Sequence, residues 1–182
     1  MKLMIASDIH GSAYFCSELL KAFKREDPDR LFLLGDILYH GPRNDLPRDY
    51  NPKEVIKMLN LNAERILSVR GNCDSEVDEM VLKFPLLADY TVVYAQNREM
   101  FLTHGHIYNS EKMPPLKRGS IFISGHTHIP VCRYDAENGI LFLNPGSVSI
   151  PKENSENSYM VFENGEFLFK TLGGEIYNTY KV

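Results

Sequence analysis

The stretch Leu3–Gly11 reads LMIASDIHG. An apolar run of strand length ends in an acid and a histidine two residues apart, and a glycine follows. Related fragments recur down the chain: LFLLGD at 31–36, ILSVRGNCD at 66–74, MFLTHGH at 100–106 and IFISGHTH at 121–128. Five of the six histidines fall in these fragments. Each polar cluster begins where a short apolar run ends. That is the arrangement expected when successive strands deliver polar ligands to one edge of a sheet. A lone Asp after a strand is ordinarily a turn or helix cap, and a lone His there is ordinarily just a polar residue. Five such fragments in order are not explained by capping.

Outward from Leu3–Gly11, the periodicity predicts alternating elements. Leu3–Ser7 is a buried strand. Ser12 can cap a following helix, and Phe15, Leu19 and Phe23 repeat at helical spacing. Leu31–Leu34 is the next strand. Asn51-Pro52-Lys53-Glu54 carries a capping residue, a proline at the first helical position and Glu three residues after the cap. Val55, Met58 and Leu59 give that helix its inner face. Ile66–Val69 is a third strand. This order implies right-handed crossovers and a parallel core. The second half reads as strands and hairpins. Thr91–Tyr94 and Met100–Thr103 flank Gln96-Asn97, and Ile121–Ser124 is a further apolar run. Val131–Tyr134 and Ile140–Leu143 flank Asn138-Gly139; Tyr159–Phe162 and Phe167–Phe169 flank Asn164-Gly165. Asn-Gly between apolar runs signals a hairpin, because both residues accept positive φ. The expectation is an α/β protein of two sheets packed face to face with helices outside.

A length of 182 residues fits one domain spanning 1–182, and 43% apolar residues can build a sizeable core. The net charge of -4 argues against a broad, sequence-independent nucleic-acid face. No stable nucleic-acid partner is expected, although a small phosphate ester drawn to metal ions remains compatible. Cys16, Cys73 and Cys132 make no paired framework, so a reducing, cytoplasmic setting is expected. The N-terminus is apolar for too few residues to read as a signal peptide, and no run reaches the ~18 residues of a membrane span. The oligomeric state is left open, a homo-oligomer included.

The ligand chemistry is specific. Asp8 and His10 are two residues apart, as are His126 and His128. On an extended strand such residues point the same way and could reach one ion. Asp36 follows a strand directly, and its two oxygens could bridge two ions. Asn72 supplies a neutral amide oxygen. Carboxylate, imidazole and amide together suit Mn, Fe, Zn or Co better than calcium, and the lack of thiolate pairs argues against a structural zinc site.

The series Asp-x-His, Gly-Asp, Gly-Asn-x-Asp, Thr-His-Gly-His and Gly-His-Thr-His resembles the calcineurin-like metallophosphoesterases, over residues 3 to about 147. The variant Gly-Asn-Cys-Asp, with GDILYHGPRNDLP and NPGSVSIPK, is most similar to their bacterial YfcE-type phosphodiesterase branch. The resemblance implies a four-layer α/β/β/α sandwich of two mixed β-sheets flanked by helices. It implies one metal held by Asp8, His10, Asp36 and His128, and a second held by Asp36, Asn72, His104 and His126. The cofactors expected are two divalent ions, manganese first, with Ni, Co, Zn, Fe or Mg as alternatives. The implied reaction is phosphodiester hydrolysis of a small substrate by a hydroxide bridging the two ions. Asn72, Asp74 and His104 enter the catalytic set, with Asp74 orienting a neighbour.

Cys73 departs from the wider family, where many members read Gly-Asn-His-Asp and the His assists the leaving group. A thiol does this poorly, and Cys73 reads more readily as a residue that only lines the site. His106 is surplus to both metal sites and reads as a contact to a ligand or leaving group. His40, Arg43 and Asn44 read either as a loop tied by its own hydrogen bonds or as a substrate wall, with Arg43 offering a planar donor fork. Asn144-Pro145-Gly146-Ser147 is a tight turn or a brace for the His126–His128 loop. Two other functions compete: a phosphomonoesterase or nucleotide pyrophosphatase on the same site, and a non-catalytic scaffold of the retromer type. Loss of metal ligands would favour the scaffold, and here every expected ligand is present.

Overall fold

The computed structural model describes all 182 residues. Strands β1 (Leu3–Ala6), β2 (Arg30–Leu33) and β3 (Ile66–Ser68) pair in parallel. Two helices make the crossovers, α1 (Ala13–Glu26) and α2 (Pro52–Asn60). Both start where the sequence predicts. The Ser12 hydroxyl accepts from Phe15 N at 3.2 Å, and Asn51 Oδ1 accepts from Glu54 N at 3.3 Å. A single 3-10 turn at Ala63–Arg65 leads into β3, and a short helix α3 (Glu76–Glu79) follows it. The second half supplies β4 (Tyr90–Ala95), β5 (Arg98–Thr103), β6 (Ile121–Ile123), β7 (Val131–Asp135) and β8 (Ile140–Asn144). Then come β9 (Ser158–Glu163), β10 (Glu166–Thr171) and β11 (Ile176–Lys181).

The strands form two mixed sheets, ordered β11-β10-β9-β1-β2-β3 and β4-β5-β6-β8-β7. The expected hairpins close as the turn chemistry requires: Asn164 and Gly165 have φ of 52° and 78°, and Gln96 and Asn97 have 51° and 59°. Two features differ from the sequence reading. The centre of the second sheet, β5-β6-β8, is parallel. And β11, which the sequence did not announce, adds an edge strand whose residues are almost all exposed.

Alternation along each strand sorts the apolar side chains into layers. Leu3 and Ile5, Phe32 and Leu34, and Met160 and Phe162 meet Met100, Leu102, Ile121, Ile123, Leu141 and Leu143 between the sheets. The alternate residues Met4, Ala6, Leu31, Leu33 and Val161 face Leu19, Phe23, Val55 and Leu59 of the two helices. Fully burying one such side chain contributes roughly 1.5–3 kcal/mol. The outer face of the second sheet is Phe101, Phe122 and Phe142. It is covered by Tyr108, Met113 and Leu116 of the β5–β6 connection, so that layer is a loop rather than a helix. Sheet-on-sheet packing aligns the carboxyl ends of β1, β2, β3, β5 and β6, from which the Asp, Asn and His motifs leave, while Asn144-Pro145-Gly146-Ser147 leaves from β8.

Candidate metal centre

The ligand pairs do not sit on extended strands, as the spacing argument supposed. β1 ends at Ala6, and Asp8 and His10 lie in the turn after it with φ of 61° and 49°. Asp36, His126 and His128 have φ of 55°, 67° and 63°. All five are left-handed, a region that costs non-glycine residues about 1–3 kcal/mol and clusters at functional sites. The tight turns, not strand alternation, aim Asp8 and His10 at one point, and they send His128 to that same group and His126 to the group of Asp36 and His104. Close loop contacts hold them there. A Cβ on Gly125 would stand 1.9 Å from Ser7 Oγ, and one on Gly71 would stand 2.1 Å from Asp36 Oδ1.

Three groups of ligand atoms converge within 4.8 Å: Asp8, His10 and His128; Asp36, His104 and His126; and His10, Asp36 and Cys73. Three imidazoles are oriented from behind. His10 Nδ1 donates to Tyr39 O at 2.8 Å, His104 Nδ1 to Leu34 O at 2.6 Å and His128 Nδ1 to Ile150 O at 2.7 Å. A carbonyl only accepts, so each Nδ1 carries a proton, and Nε2 points inward, presenting a lone pair whenever the imidazole is neutral. Those lone pairs face other acceptors. His10 Nε2 is 3.2 Å from His128 Nε2, and His128 Nε2 is 3.3 Å from Asp8 Oδ1. His104 Nε2 is 3.1 Å from both Asn72 Oδ1 and His126 Nδ1. Asp36 Oδ2 stands between the groups, 3.7 Å from His10 Nε2 and 3.5 Å from His104 Nε2.

Neutral imidazoles there crowd acceptors on acceptors, which positive charge at their focus, a proton on Nε2 or a metal ion, relieves. Asp8 Oδ1 makes the need explicit, because it is buried without a hydrogen-bond partner. Two ligands bound at about 2.1 Å to one ion stand roughly 3.0–3.4 Å apart. The spacings of 3.1–3.3 Å match, those of Asp36 Oδ2 at 3.5 and 3.7 Å are longer, and the mixed nitrogen and oxygen donors fit a divalent ion of the manganese-to-zinc series. Burial alone would lower the pKa of His104, but the carboxylates of Asp36 and Asp8 outweigh it and push it up to about 9. The site favours positive charge, and a metal competes with the proton for it.

The neighbours take distinct roles. Asp74 reaches neither group; its carboxylate accepts from the backbone N–H of Gly71 at 2.7 Å, Asp36 at 2.8 Å and Ile37 at 2.9 Å. It therefore fixes the Asp36 turn, with burial pushing its pKa up to about 6 against those donors. Cys73 N–H donates to Asp36 Oδ1 at 2.8 Å, and burial and the adjacent carboxylates push its thiol up to about 12, so it stays protonated. His106 belongs to no ligand group. Its ring lies 5.3 Å from that of His104, Nδ1 is buried without a partner, and burial beside two other imidazoles lowers it to about 4. Asn144 braces the His126–His128 loop, with Nδ2 donating to Gly125 O at 2.8 Å and Thr127 Oγ1 at 3.1 Å. The Ser147 hydroxyl donates to Asp8 O at 2.9 Å.

The ligand groups open into a cleft of about 720 Å³. Asp36, Asn72, Cys73, His126 and His128 reach it, and Arg43 and Asn44 form part of its wall. His40 does not line it. Its ring packs edge-on between Tyr39 and Tyr50, at 4.7 and 5.2 Å, and its carbonyl accepts from Asn44 Nδ2 at 2.8 Å. His40 is thus part of the loop's own packing and hydrogen bonding. Six lining residues lie outside the expected set, Tyr39, Gly41, Pro42, Ser75, Thr127 and Lys152, and of these only Lys152 carries a full charge. Lys152 closes the NPGSVSIPK stretch, but nothing local in the sequence says that it lines this cleft.

Residues 1–166 match the calcineurin-like phosphoesterase superfamily domain. The chain is 46% identical to phosphodiesterase YfcE of Escherichia coli (strain K12) over 164 residues, 90% of this chain and 88% of that protein. The solved structure of that E. coli phosphoesterase superposes with a TM-score of 0.95 at 43% identity, covering 100% of this chain and 99% of that one. A zinc complex of Vps29 from Entamoeba histolytica, at 22% identity and a TM-score of 0.68 over 100% of this chain and 98% of that one, shares the fold.

Proposed function

The chain belongs to the calcineurin-like phosphoesterase superfamily, and from that membership we propose that it is a metal-dependent phosphodiesterase working from two divalent ions at the floor of the cleft. The observation that carries this reading is the set of imidazole lone pairs and the orphaned Asp8 oxygen converging below an open cleft. Asp8, His10, Asp36 and His128 would hold one ion, and Asp36, Asn72, His104 and His126 the other, with manganese the first candidate and Ni, Co, Zn, Fe or Mg the alternatives. Bound there, the ions would neutralise charge on the phosphate oxygens and lower the pKa of an attacking water.

The chain's own residues do the positioning. Asp36 faces both groups and is held by Asp74 through three backbone amides. Asn72 Nδ2, 3.2 Å from Cys73 Sγ, remains available as a donor at the cleft. Arg43 and Asn44 form the wall against which an ester arm lies. Phosphoryl transfer asks mainly for positioning and electrostatic stabilisation, so no protein nucleophile is needed. Cys73 supports diesters over monoesters, since a thiol is a weak donor and gives little help to a leaving alkoxide. The three cysteines are unpaired, which supports a reducing compartment such as the cytoplasm.

The test is chelation and reconstitution. Metal-stripped protein, verified by elemental analysis, is expected to be inactive on an aryl phosphodiester, and manganese or a similar ion is expected to restore turnover. Full activity without metal would remove the basis of the proposal.

A further inference from the structure

The cleft contains two cations without partners. Arg43 and Lys152 both line it. Neither forms an ion pair with any carboxylate of the chain, including the adjacent Asp45 and Glu153. They come from separate segments, Arg43 from the loop between β2 and α2 and Lys152 from the turn between β8 and β9. The Lys152 backbone is anchored, and the residue after Arg43 is tied to its own loop. Asn44 N donates to Gly41 O at 3.4 Å and its Nδ2 to His40 O at 2.8 Å. Lys152 N donates to His128 O at 3.2 Å, and its carbonyl accepts from Ser155 N at 3.0 Å and Ser155 Oγ at 2.6 Å. Lys152 is thus tied to the backbone of a metal-site histidine while its side chain stays exposed at the cleft.

The acids of the cleft are engaged elsewhere. Asp36 faces the imidazoles of His10 and His104, and Asp74 accepts from three backbone amides. On the two-ion reading, the carboxylates of Asp8 and Asp36 offset about half of the metal charge. Roughly two positive charges remain to face a diester that carries one. That already exceeds the charge of the scissile phosphate, which needs neither Arg43 nor Lys152. Two further cations in the same cleft repel each other and the ions. A second phosphate, carrying about −1.5 to −2 charges at neutral pH, would relieve that repulsion. Arg43 offers a fork for bidentate contact, and Lys152 offers a point charge.

Resting on the diesterase reading, we propose that the substrate is a phosphodiester whose ester arm carries a second, terminal phosphate, held by Arg43 and Lys152 while the scissile phosphate sits over the metal ligands. Lys152 thereby determines which diesters are selected.

Two matched probes test this: the 4-nitrophenyl ester of thymidine 5′-phosphate, and the same ester carrying a 3′-phosphate. The manganese-loaded wild type is expected to prefer the second by about tenfold or more in kcat/KM, the effect of one or two charge-assisted phosphate contacts. Lys152→Met and Arg43→Met should each shrink that preference about tenfold. A wild-type ratio near one, or a ratio unchanged in both variants, overturns the proposal. Equal loss on both probes, abolished by salt, means that the two cations only steer anions toward the cleft, and overturns it too. Calorimetry with thymidine 3′,5′-bisphosphate against thymidine 5′-phosphate reads the same preference without turnover. If neither ester is hydrolysed, the diesterase reading fails by itself, and the calorimetric ratio in wild type and Lys152→Met still decides whether a second phosphate is held.

Discussion

Asp8, His10, Asp36, His126 and His128 are left-handed non-glycine residues, and each places a donor atom at the centre. Glycine would relieve each backbone but remove the ligand, so strain of about 1–3 kcal/mol per position is retained for the site. Asp36 is the most exposed to test, because it faces both groups. Asp36→Asn keeps shape and volume but removes a charge, and His104→Ala removes a buried lone pair. Either is expected to lower turnover by three orders of magnitude or more, on the order of 4 kcal/mol of lost transition-state stabilisation, with native circular dichroism. Near-normal rates in a folded variant would mean that the chemistry lies elsewhere. Cys73 stands between Asn72 and Asp74 with its thiol in the cleft. Cys73→His is expected to raise the monoester-to-diester ratio of kcat/KM, since positioned acid catalysis is typically worth about a hundredfold or more. Matched aryl esters at equal metal occupancy measure it, and an unchanged or lower ratio would acquit Cys73 of restricting the enzyme.

The C-terminal end of α1 is joined to the first sheet by a buried polar cluster. Glu26 accepts from Tyr159 OH at 2.8 Å and Lys170 Nζ at 2.5 Å, and pairs with Lys2 Nζ at 3.1 Å. Burial alone would raise the Glu26 pKa, but the hydrogen bonds from Lys170, Tyr159 and Lys2 outweigh it and hold it below its ordinary value of 4.5. A depressed carboxylate stabilises the fold above its unfolded pKa, and that contribution is lost as pH falls through the folded value. Glu26→Gln is expected to cost roughly 1–3 kcal/mol at neutral pH, the range for charged hydrogen bonds. In denaturant titrations the gap between wild type and variant should narrow below about pH 4.5. A gap that widens on acidification would show that the cluster gains nothing from the charge of Glu26.

Across the whole molecule, the centre lies between the sheets. Asp8, His10, Asp36 and Asn72 leave the ends of β1, β2 and β3, while His104, His126 and His128 leave the ends of β5 and β6. A bound ion would therefore cross-link the two sheets in the native state only. At one hundred times the dissociation constant, such a ligand adds about 2.7 kcal/mol, and for a chain of this length roughly 2–4 °C accompany each kcal/mol. Manganese is expected to raise Tm by about 5–10 °C over chelated protein, on the same scaling. Scanning calorimetry across a manganese titration measures it, and a Tm indifferent to manganese would count against a site spanning both sheets.

The apolar runs and Asn-Gly turns were sufficient to locate ten of the strands, because burial and positive φ leave local marks. β11 left none, since IYNTYK is nearly all exposed and pairs only along an edge. The residues that converge were legible because each carries a donor atom immediately after a strand. Their left-handed turns, the exclusion of His40, and the entry of Tyr39 and Lys152 into the cleft were not. Those depend on neighbours far away in sequence: Tyr50 against His40, His128 against Lys152, and β9 against β1 in the register Leu3↔Phe162. The sequence by itself determined which atoms could bind metal and which faces had to be buried, because both are properties of residues and their local period. Only the tertiary structure decided how those atoms converge and which exposed cations face them, because convergence is set by long-range pairing and packing.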